Sequence, residues 1–266
     1  MTALVLRTRI YRRLLGAHIR AALQYEADFW LLIVAATLIQ VVGLVFLSAI
    51  FARIPQLNGW TFWEVLLIYA MVSIGEGVVS LFFEGTWHLA HRINVAELDY
   101  YVVRPYPVML QVMGSTVGFN GIGNILTGGV MLGLALANVD IAWSVGTIAL
   151  CVTLFASAIA IRLSIALATN AVSFWVPGPF NPFAYAMHQV GDLTRYPISI
   201  YSVAVQLSIG IAIPYAFASY FPVAVLLGHG DYAWLGMLTP LVAIYCGVAA
   251  WLIFRTGLRR YEGAGS

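Results

Sequence analysis

The chain has 266 residues, 62% hydrophobic and only 9% charged, with a formal net charge of +2. A soluble domain ordinarily carries about a quarter charged residues, and apolar runs of about 20 residues match the hydrocarbon core of a bilayer; a water-soluble globular protein is excluded. All 13 basic residues are arginine, so no P-loop is possible, because its lysine must reach the β and γ phosphates; any ATP would be hydrolysed on another polypeptide.

In chain order, residues 1–28 set Arg7, Arg9, Arg12, Arg13 and Arg20 among Leu4, Ile10, Leu14, Leu15, Ile19 and Leu23 at helical spacing. This predicts an amphipathic helix lying in the membrane interface. Residues 29–260 read as an all-α integral membrane domain of six spans, at about 29–51, 62–83, 107–137, 143–175, 183–200 and 233–254. The first is too long for a signal-peptide core and lacks a small-x-small cleavage site after it, so it is read as a retained span. Pro55, Asn58 and Gly59 mark the turn into the second.

The third and fourth runs exceed a span and must tilt or project. The third is rich in glycine, with Gly114/Gly118 and Gly129/Gly133 at the spacing that lets helices approach closely. PGPFNP at 177–182 is a firm breaker. Asp192, Arg195 and Pro197 disturb the fifth run, and residues 198–228 are broken by Pro214 and Pro222. These predict an outer re-entrant segment, since non-helical backbone at membrane depth must be buried in protein or line a cavity. Arginine bias puts both termini in the cytoplasm. It leaves Arg53 and Arg195 on the outer flank, and Arg162 snorkels near the inner end of span four. Cys151 and Cys246 read as buried thiols.

Residues 84–106, EGTWHLAHRINVAELDYYVVRPY, are too polar to cross. Trp87, Leu89, Ile93, Val95 and Leu98 form an apolar side; His88, His91, Arg92, Glu97 and Asp99 form a polar one. The pattern predicts a cytoplasmic helix that lies against the membrane and offers its polar face to a partner. Pro105 and Pro107 end it. Glu84, His88 and His91 are too few for a metal site. Within span two, Glu76 shares a face with Ser73, Gly77 and Ser80. A carboxylate at that depth either lines a translocation path or is hydrogen-bonded to a neighbouring helix. Asp192 and Arg195, three apart, read as a structural pair or as part of an outer gate with Pro214 and Pro222.

The stretch GTWHLAHRINVAELDYYVVRP at 85–105 resembles the coupling region of type-2 ABC exporter permeases of the bacterial branch with a Gly-x-Trp start and a Glu-Leu-Asp…Arg-Pro end. ALQYEADF at 22–29, RYPISIY at 195–201 and IPYAFASYFP at 213–222 agree with it, although Glu26 stands where that branch would carry an arginine. The likeness runs from about residue 7 to 260. It implies an inner-membrane exporter subunit that pairs with a second permease, identical or paralogous, above two ATP-binding subunits. ATP and magnesium would sit on those partners, with no cofactor on this chain and no nucleic acid involved. Trp87, His91, Arg92, Glu97, Leu98, Asp99 and Arg104 would then couple to the ATPase. The apolar, aromatic-rich spans suit a hydrophobic or amphipathic substrate. A channel or secondary transporter, or an intramembrane lipid enzyme, is the alternative; the spans show neither a clear repeat nor paired catalytic groups.

Overall fold

The computed structural model describes Gly16 and residues 26–230 and 232–263. The interfacial helix expected over 1–28 therefore falls almost wholly outside the described residues. Those residues form helices α1 (Glu26–Phe51), α2 (Phe62–Phe83), α3 (Leu89–Asn94), α4 (Asp99–Val102), α5 (Val108–Met113) and α6 (Asn120–Leu136). Then follow α7 (Val145–Ala171), α8 (Pro182–Asp192), α9 (Val203–Leu207), α10 (Tyr220–Leu227) and α11 (Thr239–Leu258), with short 3-10 turns and a π-helical turn at Ser208–Ala212 between them. Among the described residues there is no β-strand. Four helical stretches are long and apolar enough to cross a bilayer, Glu26–Phe51, Phe62–Asn94, Val145–Phe174 and Ala233–Leu258; Asn120–Leu136 and Val203–Ala212 are shorter.

Helix α2 is the axis of the bundle. Its residues from Val65 to Gly75 are buried without a break, as befits a helix apolar all round. Its start is fixed by a capping interaction in which the Glu64 carboxylate accepts from the Thr61 N–H (2.8 Å) and hydroxyl (2.9 Å). The preceding turn needs left-handed backbone at Asn58 (φ 51°) and Gly59 (φ 89°). Helix α1, by contrast, buries only Ile33, Ala36, Gln40 and Leu47, so most of its apolar surface faces outward.

Close approach of α6 to α2 depends on glycine: Gly118, one of the positions the spacing suggests, lies against Ser80 of α2, and within α6 the contact falls at other glycines. A Cβ on Gly77 would lie 2.7 Å from the Gly121 carbonyl oxygen, and one on Gly128 would lie 2.7 Å from Ile74 Cγ1. Gly123 plays the same part against α1, 2.6 Å from the Ile33 carbonyl oxygen. Gly129 and Gly133 face open space, with nothing within 4 Å. Helical periodicity turns them away from the face that carries Gly121 and Gly128.

A polar link crosses the same seam. Buried Gln40 of α1 accepts from the Ser73 hydroxyl of α2 (3.1 Å) and donates to Asn124 Oδ1 of α6 (3.0 Å). Such bonds between apolar helices are worth about 1 kcal/mol. Gln40→Leu is expected to lower stability by about that amount, read as a lower unfolding midpoint in detergent.

Two expected spans are interrupted. The 107–137 run divides at Gly114–Phe119 into α5 and α6. The 183–200 run gives the 11-residue α8, followed by separate 3-10 turns at Leu193–Arg195 and Ile198–Ile200. The cause of the first break is tertiary: the Gly118 N–H leaves the helical ladder to donate to the Ser80 carbonyl oxygen of α2 (3.1 Å). The second follows from Pro197, which has no N–H to continue the helix. Residues 198–228 form no single helix. Tyr215–Ala218 and Tyr220–Ala224 are buried in protein, and the Ser219 hydroxyl donates to the Thr194 carbonyl oxygen (2.9 Å). Pro222 falls in the first turn of α10, where its missing donor costs nothing, and Pro214 precedes the 3-10 turn Tyr215–Ala218.

Candidate functional site

Glu76 lies about 21 Å along α2 from Phe62, at 1.5 Å per residue. Both of its oxygens are bound: Oε1 accepts from Arg162 Nη1 of α7 and Oε2 from Arg195 Nη2, each at 3.0 Å. Arg195 also meets Asp192 Oδ1 at 3.0 Å and donates to the Tyr69 hydroxyl at 3.1 Å. Two arginines and two carboxylates sum to zero charge. Paired in this way they can occupy an interior that would expel any one of them alone. Gly75 leaves the space for Arg162, whose Cδ would lie 3.1 Å from a Cβ at that position.

These contacts revise the expected positions of both arginines. Arg162 does not snorkel to the surface; it is 5% exposed and held by Glu76. Arg195, expected on the outer flank, is drawn into the bundle, where it meets α2 at Tyr69 and Glu76. Asp192 and Arg195 do pair, as one edge of a four-residue cluster that joins α2, α7 and the end of α8. Sequence spacing could not show this, since Glu76 stands 86 residues from Arg162 and 119 from Arg195.

Beside the cluster, towards the C-terminal end of α2, a cavity of about 270 Å³ opens between α2, α6, α7 and α8. Glu76 and Arg162 bound one end, Glu84 and Trp87 the other. The Ser80 hydroxyl donates to Glu84 Oε2 (2.7 Å) and reaches Asn120 Oδ1 (3.0 Å). Glu76 and Ser80 line the cavity, whereas Ser73 turns away to Gln40. Asn120, Asn124, Thr169, His188 and Tyr215 also line it, and sequence reasoning passed over them. Asn120 and Asn124, four apart in an otherwise apolar helix, were the available signal.

A second hollow, of about 390 Å³ and almost wholly apolar, lies towards the N-terminal ends of α2 and α7, lined by Leu67, Met71, Leu136, Trp143, Phe155 and Val223 among others. Helices α2, α6 and α7 therefore present a polar chamber near one end of the bundle and an apolar one near the other.

The segment joining α2 to α5 is not one amphipathic helix. Ala96 adopts left-handed backbone (φ 57°) and separates α3 from α4 at a sharp turn. Arg92 faces inward, 6% exposed. It donates to the Ser115 hydroxyl, to Thr116 Oγ1 at 3.0 Å and to the Val112 carbonyl oxygen at 3.4 Å. The guanidinium thus occupies the C-terminal end of α5, where a cation and its donors are favoured. Leu89 and Leu98 are fully buried, and Trp87 packs edge-on against His188 of α8 at 5.2 Å.

The outward face includes His88, His91, Asn94, Val95, Tyr100, Val102, Val103 and Arg104, with Tyr100 and Val103 exposed by 68% and 80%. Glu97 is half-exposed, 3.7 Å from Arg92. Asp99 lies beside Tyr261, whose phenol is pushed up to about 12 by burial and by that carboxylate. Arg92, Trp87 and Leu98 thus anchor the segment from behind, and Val95, expected on the inner side, faces out. Among the described residues no three His, Cys, Asp or Glu side chains stand close enough to hold a metal ion.

A family model described as "ABC-2 family transporter protein" matches residues 37–265. No curated protein and no solved structure matches the chain. The family match spans the long apolar helices, the polar cavity and the α3–α4 segment alike, and the chain belongs to the ABC-2 transporter family, as a multi-pass membrane permease subunit rather than an enzyme.

Proposed function

We propose that this chain is the permease subunit of an ATP-driven exporter in a bacterial cytoplasmic membrane, moving a hydrophobic or amphipathic substrate. It would act with a second permease, identical or paralogous, on two ATP-binding subunits that hold ATP and magnesium. In this reading both termini are cytoplasmic and the chain makes six crossings. The third crossing is made by α5 and α6 together, and the 198–228 segment enters from the outer side.

The observation that carries the proposal is the construction of residues 84–106. Its outer face offers Tyr100 and Val103 among His91, Glu97 and Arg104, a mixture suited to a protein partner. Its inner face is tied by Arg92 to the Ser115–Thr116 break and by Trp87 to α8. Closure of the ATPase would push on α3 and α4, and Arg92 would pass that displacement to the base of α6. Trp87 would pass it to His188. Both routes end at the walls of the polar cavity, so a movement at the surface would reshape the chamber.

The test is co-purification with a candidate ABC ATP-binding subunit co-expressed with this chain. Tyr100→Ala combined with Val103→Asp is expected to weaken the complex by about 2 kcal/mol or more, since exposed aromatic anchors dominate such interfaces. Membrane insertion should be unchanged, because neither side chain packs in the bundle. An undiminished complex would remove the coupling role from this surface.

A further inference from the structure

We propose that Arg162 binds an anionic group of the transported molecule inside the polar cavity, so that the substrate class is an amphipathic anion bearing a phosphate, carboxylate or sulfonate. The inference rests on the transporter reading above and deepens it by naming the ligand chemistry.

Arg162 is 5% exposed and gives only Nη1 to Glu76. Its Nε and Nη2 are buried and have no hydrogen-bond partner, although the side chain lines the cavity. Buried N–H groups of a cation are costly to leave unmatched, and a guanidinium fork matches the paired oxygens of a carboxylate or phosphate. The neighbouring lining favours the same kind of ligand. Asn124 Oδ1 is already taken by Gln40 Nε2 at 3.0 Å, so what Asn124 has left for the cavity is its amide donor.

The competing carboxylates do not occupy this position. Glu76 is matched on both oxygens by Arg162 and Arg195. Glu84 lies two helical turns further along α2, about 12 Å away at 1.5 Å per residue, and is engaged by Ser80. An anionic group at Arg162 therefore meets donors before it meets a free negative charge. The amphipathic part of the assignment comes from the surroundings: α2, α6 and α7, which wall this cavity, also wall the apolar hollow. A polar head at Arg162 has apolar protein surface on the same three helices.

The experiment is calorimetric titration of the full chain, in nanodiscs of neutral phosphatidylcholine, with octyl phosphate, inorganic phosphate and octyltrimethylammonium, using empty nanodiscs as the blank. No ATPase and no nucleotide is present, so a failure here leaves the coupling proposal to its own co-purification test. Saturable binding of octyl phosphate is expected, with inorganic phosphate much weaker and octyltrimethylammonium absent. Arg162→Lys keeps a cation for Glu76 but lacks the fork, and should weaken octyl phosphate binding about tenfold or more. Asn124→Asp keeps an acceptor for Gln40 but replaces the donor with a negative charge, and should weaken it too. This second variant decides the matter if Arg162→Lys does not fold. Binding unchanged in the variants, or equal binding of the ammonium compound, would overturn the assignment. Inorganic phosphate bound as tightly as octyl phosphate would overturn the amphipathic class.

Discussion

Glu76→Leu is expected to cost most of the folded protein. The substitution leaves Arg162 without its ion-pair partner and Arg195 with Asp192 alone. Removing one member of a buried pair typically costs about 3–5 kcal/mol, because the remaining charge is stranded in a medium that solvates it poorly. The readouts are the yield of monodisperse protein and the unfolding midpoint in mild detergent. The double variant Glu76→Leu/Arg162→Leu should recover much of the loss, since Arg195 and Asp192 then balance each other. Glu76→Gln should fall between, keeping an acceptor while losing the charge. If Glu76→Gln instead folds with a normal midpoint but abolishes transport, the carboxylate serves the path and its structural role is minor.

Gly121→Leu comes second in expected effect. At Gly121 even a Cβ would overlap the Gly77 carbonyl oxygen and stand 2.7 Å from the Leu81 nitrogen. Both neighbours are backbone, which cannot swing aside as a flexible side chain can. Overpacking ordinarily costs about 1–3 kcal/mol, and here the separation of α6 from α2 would also open a wall of the polar cavity. Gly133→Leu on the same helix is the control. Nothing lies within 4 Å of that position, so its effect on the isolated chain should stay within about 0.5 kcal/mol. The pair separates helix propensity, which both substitutions improve, from packing, which only one disturbs. A comparable loss at Gly133 would mean that the α6 face is packed against something outside the chain.

The two predictions concern one assembly. Gly121 and Gly128 bring α6 against α2, Gln40 fastens both to α1, and the Glu76 cluster draws in α7 and the end of α8. The cavity exists because these helices meet closely at the charge cluster and at the glycine seam, while Ser80, Asn120 and Asn124 hold polar surface between them. Arg92 supports the same helix from below by satisfying the end of α5.

What the sequence determined by itself was the solvent. Few charges, no lysine and apolar runs of span length leave an all-helical membrane protein as the consistent reading, because backbone polar groups in lipid must be paired within the chain. It also marked Glu76 for attention, since a carboxylate in an apolar run needs a reason. It set apart residues 84–106 as a polar interruption between apolar runs. These are local properties, legible in a window of twenty residues.

Only the tertiary structure decided what those residues do for one another. The partners of Glu76 come from α7 and the end of α8, and charge at those distances along the chain carries no sign of pairing. Arg92 looked like surface charge, but a left-handed Ala96 turns its segment and an open helix end at Val112–Thr116 takes up its donors. The glycine spacing pointed to Gly118, which does lie against α2, and to Gly129 and Gly133, which do not; within α6 the seam uses Gly121 and Gly128. Spacing identifies a face of a helix, but which face meets a neighbour is settled by the neighbour's shape. Composition chose the medium; packing chose the contacts.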